Sequence, residues 1–582
     1  MSDVATRVPF VLLEERFESE DPRFLDDVLG CTEDGKLKAL ATKWYRDRRP
    51  WARRQLIAYV DDGCDRPRHR ALVKALLRLA EGAGDDALMA HFLCAFDRLD
   101  RRTLKVVQRY DWYARETRLV RLRVKAYPDP KREWSEAAYR LRQRAPKGAW
   151  HYQANWFHSP TRQYLRRRAY RWFRQLAYRE PERYVAGVLR ALPLYRDEHL
   201  PEAINVLDVY GLTNLLYYGS DVLSRDSRSV RVARGRQLAE LTPAPRNPDA
   251  WRGQSEPLLR TLLRSDCLFV RRWIVAWLER EEAEALAGID GRKLQPLLLC
   301  PYPDVQVFAA SLLEKAEGLG KLAVTEWLEL LSLDNPDILP TLCGLVKKLV
   351  TPDRLDFEAL VKLASARPLP VAELGLEWLL ERAPKDDTEL HVAMTLADAP
   401  CEPVREKATA WLLGFVTAEN GKPEHLRDLL DARHANVRAL ALDVLAATER
   451  FRDDATLWAA LAESPYPDAQ HFLVAHLEAR EGALDPKQVE HLWATTLLSV
   501  HRGFSAKRRA LRQISHRVVK EPERADALLP ILRVALRSVR EAERRSALAA
   551  VSRAAFESPS LRDAIARHVP ELSLFPETEA RA

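Results

Sequence analysis

Apolar residues return with helical spacing along the second half of the chain, inside a unit that repeats about every 33 residues. Each unit has a polar or proline-containing turn, one apolar residue, and then an amphipathic helix. That apolar residue recurs at steps of 35, 33, 33, 33, 33 and 32 residues, at Val270, Val305, Ile338, Val371, Val404, Val437 and Ala469. The near-constant step predicts an array of stacked helix pairs, because no single pair can bury its own apolar stripe.

The fifth and sixth units show the pattern most clearly. Pro403 precedes Val404, and a proline in the first turn loses no intrahelical hydrogen bond. The stripes that follow hold Val404, Ala408, Trp411 and Leu412 in the fifth unit, and Val437, Leu440, Ala441, Val444 and Leu445 in the sixth. Helical spacing predicts that each stripe packs against the neighbouring units.

The motif V-R-x-x-A-x-x-x-L is shared by these two units, as Val404-Arg405 with Ala408 and Leu412 and as Val437-Arg438 with Ala441 and Leu445. It resembles HEAT repeats, over roughly residues 258–556. The resemblance implies an all-α fold of the HEAT-type, armadillo-like α-solenoid class, a superhelix of antiparallel helix pairs. Two further units, near Lys507 and Arg544, keep the helical pattern with more charge.

The first 245 residues also show helical spacing, although without a clear repeat. The spacing predicts helices over 35–47, 51–60, 68–82, 85–98, 161–178 and 181–195. Pro243, Pro245 and Pro248 interrupt any helix and mark a boundary. We therefore predict an N-terminal helical region over 1–245, a repeat array over 246–557, and a cap helix with a tail over 558–582.

Charge changes this picture because it is distributed unevenly along the 582 residues, whose net charge is +8. Residues 101–190 hold 24 Lys and Arg against 7 Asp and Glu, residues 502–553 hold 14 against 5, and the remainder is acidic. Residues 101–190 also hold 16 of the 48 aromatic residues. Cations contact phosphates and flat rings stack on bases, so this region predicts a polyanionic partner, either RNA or DNA.

The sharpest basic feature is the run TRQYLRRRAYRWFRQLAY, from Thr161 to Tyr178. Helical spacing predicts one buried and one exposed face, with Arg166 and Arg168 beside the seam. The buried face would hold Leu165, Ala169, Trp172, Phe173 and Leu176, and the opposite face Gln163, Arg167, Tyr170, Arg171 and Arg174. Arginines one turn apart can follow a phosphate backbone. The same arginines also suit the solvated outer face of a solenoid.

The predicted nucleic-acid-binding residues lie on this run and on the basic segment before it. They are Arg142, Arg144, Gln163, Arg166, Arg167, Tyr170, Arg171 and Arg174.

The run QYLRRRAYRWFRQLAYREPERYVAGVL, with WYRDRRPWARRQLIAYV upstream, resembles bacterial helical-repeat proteins that often carry, or are encoded near, WGR domains. The resemblance covers roughly the first 220 residues. It implies a role in a multi-protein bacterial stress or defence system, with an AAA+ ATPase as a partner. The chain departs from that pattern in having no WGR module, since Trp251-Arg252-Gly253 is not one.

Sequence motifs for catalysis and for cofactor or metal binding are missing. There is no G-x-x-x-x-G-K-[ST] loop, no H-E-x-x-H pair and no G-x-S-x-G elbow. Seven scattered cysteines without a C-x-x-C pair favour reduced thiols in a cytoplasmic protein. No apolar segment is long enough to span a membrane, and the N-terminus does not resemble a signal peptide. We predict no catalytic residue, no metal and no cofactor.

The sequence therefore predicts a non-enzymatic binding scaffold, with protein partners and with nucleic acid as a ligand. Two alternatives stay open. One is a purely protein–protein scaffold, in which acidic repeats between Leu258 and Leu477 receive a basic protein. The other is a HEAT-like DNA glycosylase, since such enzymes use a basic concave surface, aromatic side chains and a carboxylate. Asp111-Trp112 and Glu133-Trp134 lie in such a neighbourhood, although these carboxylates also suit ion pairs with surrounding arginines.

Overall fold

The chain forms two compact units, residues 1–322 (unit 1) and residues 323–582 (unit 2). The computed structural model describes residues 9–31, 33–62, 64, 66, 68–99, 102–113, 115–125, 157, 159–227, 229–480, 484–498 and 504–572. The boundary near residue 245, which rests on composition, stays a prediction. Among the helices of the described residues, none combines the length and the apolar character needed to cross a membrane.

Unit 1 is mainly helical. Its helices are α1 (Phe10–Glu18), α2 (Phe24–Gly30), α3 (Asp34–Arg46), α4 (Pro50–Asp62), α5 (Arg70–Ala83), α6 (Asp86–Arg98), α7 (Ser159–Arg179), α8 (Pro181–Ala191), α9 (Tyr210–Leu216), α10 (Ser255–Leu262), α11 (Leu268–Glu281), α12 (Ala283–Leu286), α13 (Gly291–Leu298) and α14 (Pro303–Leu313). Its strands are β1 (Arg102–Asp111), β2 (Glu116–Lys125), β3 (Leu223–Arg225) and β4 (Val230–Val232). The helices predicted for its first half are confirmed to within a few residues at each end.

A β-hairpin interrupts these helices. β1 pairs with β2 in antiparallel register, from Arg102 opposite Lys125 to Asp111 opposite Glu116. The expectation of an all-helical first half was wrong over 102–125. Leu122 and Val124 alternate there with charged residues, and a period of two is that of a strand and not of a helix.

Unit 2 consists of helix pairs. Its helices are α15 (Val324–Leu331), α16 (Leu339–Leu349), α17 (Phe357–Ala364), α18 (Leu369–Leu380), α19 (Asp387–Met394), α20 (Glu402–Thr417), α21 (Pro423–Leu430), α22 (Ala435–Ala447), α23 (Glu449–Arg452), α24 (Ala455–Glu463), α25 (Pro467–Ala479), α26 (Pro486–Leu498), α27 (Phe504–Lys520), α28 (Ala525–Leu536), α29 (Glu541–Glu557) and α30 (Arg562–His568). The last of these lies in the segment predicted to be a cap helix.

The pairs of unit 2 stack in two layers. One layer runs through α17, α19, α21, α24, α26, α28 and α30, and each of these helices contacts the next. The other runs through α16, α18, α20, α22, α25, α27 and α29 in the same way. Contacts between successive pairs define an α-solenoid, so the predicted fold class is confirmed.

The residues that define the repeat lie in the core. All seven aligned residues are at most 1% exposed, from Val270 to Ala469. Six of them are the third residue of a helix, and Ile338 directly precedes α16. In the sixth unit Val437, Ala441 and Leu445 are buried, whereas Leu440 is 41% exposed and was wrongly placed in the stripe. The repeat pattern therefore predicted burial well at its anchor and less well at its edge.

A buried arginine follows the aligned residue in three units. Nη1 of Arg405 donates to the carbonyl oxygen of Ala399 (2.8 Å), and Nη1 of Arg438 donates to that of Ala432 (2.7 Å). Arg271 of unit 1 reaches the carbonyl of Ser265 in the same way (3.0 Å). Each bond satisfies a carbonyl that the preceding turn leaves without a partner. These arginines hold the repeat together and do not reach a ligand.

Candidate nucleic-acid interface

Helix α7 carries the basic run that the sequence singled out, and its apolar face lies in the core of unit 1. Leu165, Ala169, Phe173 and Leu176 are buried as predicted, and α7 contacts α6 and α8. Trp172 is only half buried, and its Nε1 donates to Oδ1 of Asp86 (3.0 Å). The amphipathic pattern therefore predicted the orientation of α7, with Trp172 at the edge of the buried face.

Three arginines of α7 point inward. Nη1 of Arg162 donates to the carbonyl of Leu99 (2.9 Å), and Nε of Arg168 donates to the carboxylate of Glu81 (2.8 Å). Arg166 is buried, with its guanidinium 4.9 Å from the ring centroid of Tyr210. Arg166 was predicted to bind nucleic acid, but its burial places it in the core and not on the surface.

The charge near Arg166 is the carboxylate of Asp97, which lies fully buried at the end of α6. It accepts hydrogen bonds from the backbone N–H groups of Gly211 (2.8 Å) and Leu212 (2.9 Å), and from the hydroxyl of Tyr195 (2.9 Å). Burial raises the pKa of Asp97 to about 6, while these hydrogen bonds and the charge of Arg166 lower it. Arg166 is therefore part of an internal charge network.

Three other arginines of α7 point outward and form the arginine row: Arg167, Arg171 and Arg174. All three are exposed, at spacings of four and three residues, so they follow one side of the helix over about 10 Å. Within the described part of the chain, none of them has an acidic side chain within ion-pairing distance. Nε of Arg167 donates to the carbonyl of Gln163 (3.2 Å), which is half buried. The arginine row is where the predicted basic surface is found.

Tyr170 does not lie on the exposed face, as the sequence predicted, but is buried. Its hydroxyl accepts a hydrogen bond from Nη2 of Arg246 (2.8 Å), and its ring meets that of Tyr210 edge to face at 5.6 Å. Arg246 comes from the proline-rich segment before α10, so packing between distant segments draws Tyr170 inward. Tyr170 positions Arg246 and is not itself open to a ligand.

Arg246 joins Tyr170 to two tyrosines that remain open to solvent. Its Nη1 donates to the hydroxyl of Tyr178 (2.7 Å), and its guanidinium stacks 3.3 Å from the ring centroid of Tyr218. Tyr178 is 71% exposed and Tyr218 is 44% exposed. We call Tyr170, Tyr178, Tyr218 and Arg246 the tyrosine cluster. Two of its rings are held in place by a guanidinium while part of each ring faces outward.

The arginine row lies next to the tyrosine cluster. Tyr178 follows Arg174 by one helical turn. Burial raises the pKa of Tyr210, and the positive charges of Arg166, Arg167 and Arg174 lower it, which requires these groups to be close to Tyr210. Tyr210 in turn contacts Tyr170. Cations and open aromatic rings are therefore neighbours on one surface of unit 1.

Sequence reasoning found the arginine row but missed most of the tyrosine cluster. Arg246 sits among the prolines that were interpreted as a boundary, and no local spacing connects it to a residue about 70 positions earlier. Tyr178 had a signal in its spacing of four residues from Arg174. Arg142 and Arg144, which were also predicted to bind nucleic acid, lie outside the described residues.

The β-hairpin of unit 1 is a second basic feature that the sequence did not predict. Residues 102–125 carry eight Lys and Arg against two Asp and Glu. Trp112 is 82% exposed at the turn, and Tyr110 meets it edge to face at 4.9 Å. A two-stranded hairpin buries little by itself and is marginally stable in water. Its charge and its exposed rings match those of the arginine row and the tyrosine cluster.

The chemistry required for the glycosylase alternative has little support in the geometry. Asp111 ends β1, opposite Glu116 and next to the exposed Trp112. Glu133 and Trp134 lie outside the described residues. Across the ranges that the structure describes, no group of three or more His, Cys, Asp or Glu side chains has the arrangement of a metal site.

Comparison with known proteins gives no relative from which a function can be transferred. No known protein family matches the chain, and no curated protein matches its sequence. Among solved structures, an engineered protein is 18% identical, with 56% of this chain and 85% of that chain covered and a TM-score of 0.17. UNC-45 from Drosophila melanogaster is 16% identical, with 93% of this chain and 62% of that chain covered and a TM-score of 0.13. Scores of this size carry no inference about the present chain.

Proposed function

We propose that this protein is a non-enzymatic scaffold of helix pairs that binds single-stranded nucleic acid through unit 1. The observation that carries the proposal is the arginine row beside the open rings of Tyr178 and Tyr218. Guanidinium groups without a protein counter-ion are available to phosphates, and each can donate to two oxygens. Open rings stack on unpaired bases, which a duplex does not offer.

The internal organisation of the site also supports this proposal. Arg166 and Arg168 are tied to groups within unit 1, so α7 does not have to reorganise to expose Arg167, Arg171 and Arg174. Arg246 fixes both open tyrosines, which lowers the conformational entropy that binding must overcome. The basic β-hairpin would add phosphate contacts without sequence preference.

The test is fluorescence anisotropy of the whole protein with labelled single-stranded RNA, single-stranded DNA and duplex DNA, at several salt concentrations. Binding should be saturable, stronger for the single strands, and weaker as salt rises. The variant Arg167→Glu/Arg171→Glu/Arg174→Glu should lose it. Equal binding by this variant and by the wild type would overturn the proposal, as would an absence of binding at low salt.

A matched control separates a specific surface from overall charge. Arg354, Arg367 and Arg433 are exposed and lie among the acidic repeats of unit 2. The variant Arg354→Glu/Arg367→Glu/Arg433→Glu changes the net charge by the same amount and should keep near wild-type affinity. Circular dichroism of both variants should show unchanged helix content.

A protein partner is the second candidate, and the charge of unit 2 favours it. Residues 323–480 hold 27 Asp and Glu against 16 Lys and Arg. These repeats would receive a basic protein, and such binding should survive charge reversal of the arginine row. A glycosylase would instead release a free base in a manner that depends on Asp111 or Glu133. Unchanged base release in a variant with alanine at both positions would exclude it.

We place this scaffold, by the resemblance of its first 220 or so residues, in a cytoplasmic multi-protein bacterial stress or defence system. An AAA+ ATPase is the partner that the resemblance implies. Size-exclusion chromatography of the two purified proteins tests this directly, because a complex elutes before either component. Separate elution at micromolar concentrations would count against the ATPase as a stable partner.

A further inference from the structure

A cavity of about 360 Å³ opens between α25, α26 and α27 of unit 2. Half-buried Leu484 and Val489 form an apolar wall together with Trp493. The remaining wall is cationic, with six arginines and one histidine against a single glutamate, Glu478. We call this space the basic cavity. Its volume is at the lower end of the range for small-molecule sites.

Acidic side chains at the periphery hold most of these arginines in place. Nη1 of Arg480 lies 2.9 Å from Oδ1 of Asp453, Nη2 of Arg517 lies 2.9 Å from Oε1 of Glu521, and Nε of Arg553 lies 2.7 Å from Oε1 of Glu557. Arg524 pairs with Glu490, and Arg509 pairs with Glu478, the one acid of the wall. The arginines are thereby oriented, and no carboxylate of the wall is left to repel an anion.

Arg512 and His516 are different. They lie one turn apart on α27, both are exposed, and both line the basic cavity. Within the described part of the chain, neither has an ion pair or a hydrogen bond. The residue between them on the cavity wall is fixed, since Gln513 accepts from Nε1 of Trp493 (2.9 Å) and donates to the carbonyl of Val474 (2.8 Å). The cavity therefore has a rigid wall and a cation without a counter-ion.

We propose that the basic cavity binds a phosphate monoester of nucleotide size, with its phosphate at Arg512 and His516 and its organic part on the Leu484–Val489 wall. A tetrahedral phosphate offers oxygens in several directions, which matches cations placed on several sides. A carboxylate offers two oxygens in one plane and would leave part of the wall unused. An apolar wall beside the cations favours an organic ester over inorganic phosphate.

The phosphate ester could come from a free nucleotide or from the 5′ end of a nucleic-acid strand. Both present the same group, and the experiment can separate them. This proposal does not depend on binding by the arginine row, which lies in unit 1.

Isothermal titration calorimetry of the full chain tests the basic cavity with five probes: adenosine, adenosine 5′-monophosphate, inorganic phosphate, and one short single-stranded oligonucleotide with and without a 5′-phosphate. We expect saturable binding of the monophosphate, weaker binding of inorganic phosphate, and none of adenosine. Tighter binding of the 5′-phosphorylated oligonucleotide than of the monophosphate would identify the strand end as the source. Tighter binding of the monophosphate would identify the free nucleotide.

Arg512→Glu should reduce the affinity for the monophosphate by a factor of about 100, and Arg512→Lys by less, since lysine keeps the charge but not the paired donors. His516→Ala should cause a smaller loss. The matched control is Arg545→Glu on the neighbouring α29, where Arg545 is 77% exposed in its side chain, pairs with Glu541 and does not line the cavity. This control should bind like the wild type.

The proposal is overturned if no phosphate-bearing probe binds saturably, if adenosine binds as well as its monophosphate, or if Arg545→Glu weakens binding as much as Arg512→Glu. Equal competition by an acidic peptide would overturn it as well, in favour of a carboxylate site. The variant with the arginine row reversed should still bind the monophosphate. Its failure to bind oligonucleotides while the monophosphate still binds would concern unit 1 alone.

Discussion

Helices α7 of unit 1 and α27 of unit 2 are both long, amphipathic and rich in arginine, yet they present their charges differently. Each uses part of its charge internally: Arg166 and Arg168 in α7, and Lys507 in α27, whose Nζ donates to the carbonyl of Leu497 (3.2 Å). The cations that remain lie on an open surface in α7 and line the basic cavity in α27. An open row suits a polymer, whereas a cavity suits one phosphate group.

The comparison also shows that arginine content alone does not identify a binding surface. Neighbouring positions in α7 differ completely, since Arg166 is buried over Tyr210 and Arg167 is exposed. What decides the role of each arginine is the group opposite it in the packed unit. Substitutions at inward and outward positions should therefore separate stability from binding.

Reversing the arginine row should have the largest effect. The variant Arg167→Glu/Arg171→Glu/Arg174→Glu should bind single-stranded nucleic acid at least about 100-fold more weakly, because three phosphate contacts are replaced by repulsion. The slope of log affinity against log salt concentration should fall by about 2, as each lost contact on a single strand contributes roughly 0.7. Anisotropy titrations at four salt concentrations measure both quantities. An unchanged slope would show that these arginines do not touch phosphates.

Arg166→Met should lower the free energy of unfolding of unit 1 by about 3 kcal/mol, because it leaves the buried Asp97 without its positive neighbour. Nucleic-acid affinity at a temperature where the variant is folded should stay within about threefold of the wild-type value. Urea denaturation followed by circular dichroism gives the first quantity and anisotropy the second. A large loss of affinity in a stable variant would assign Arg166 to the interface after all.

Asp97 should make the stability of unit 1 depend on pH. Its pKa is raised in the folded state to about 6, above the ordinary value near 3.9 of an unfolded chain. Between those values the unfolded chain loses the proton first, so the contribution of Asp97 to stability falls as pH rises from about 4 to about 6. The stability of the wild type relative to Asp97→Asn should thus decline across this window, by up to about 2 kcal/mol. Denaturation curves of both proteins at half-unit pH steps would reveal a flat difference if the carboxylate does not titrate there.

Lys507→Met is the counterpart of Arg166→Met in unit 2 and should cost less, about 1–2 kcal/mol. Burial lowers the pKa of Lys507, and its acidic neighbour Glu543 also accepts from the hydroxyl of Ser538 (2.6 Å), so the acid keeps a partner when the lysine is lost. Chemical denaturation of the two methionine variants side by side gives the comparison. A larger loss in Lys507→Met would reverse the order expected for the two internal networks.

Tyr178→Leu should have the smallest effect, a loss of several-fold in affinity for single strands, or about 1 kcal/mol, since leucine keeps apolar area but removes the stacking face. Helix content should not change because Tyr178 is mostly exposed. Poly-pyrimidine and poly-purine probes in the same anisotropy assay should be affected to different degrees. Identical losses for an abasic probe would point to the lost hydroxyl contact with Arg246 and not to stacking.

Much of the fold and a part of the candidate site could be predicted. The aligned residues from Val270 to Ala469 are buried as the repeat pattern requires, and the outward positions of Arg167, Arg171 and Arg174 follow from the wheel of α7. The hairpin over 102–125 was missed, although Leu122 and Val124 alternate with charged residues, because the density of charge dominated the interpretation of that segment.

The sequence by itself determined the helices, their 33-residue repeat and the residues that anchor each pair, since these depend on contacts three or four positions apart along one helix. Only the tertiary structure decided which cations remain available. Arg168 meets Glu81 and Tyr170 meets Arg246 across separations of 87 and 76 residues, and Arg512 faces a cavity that three helices build together. Such pairings depend on how distant helices pack, and helical periodicity carries no record of that packing.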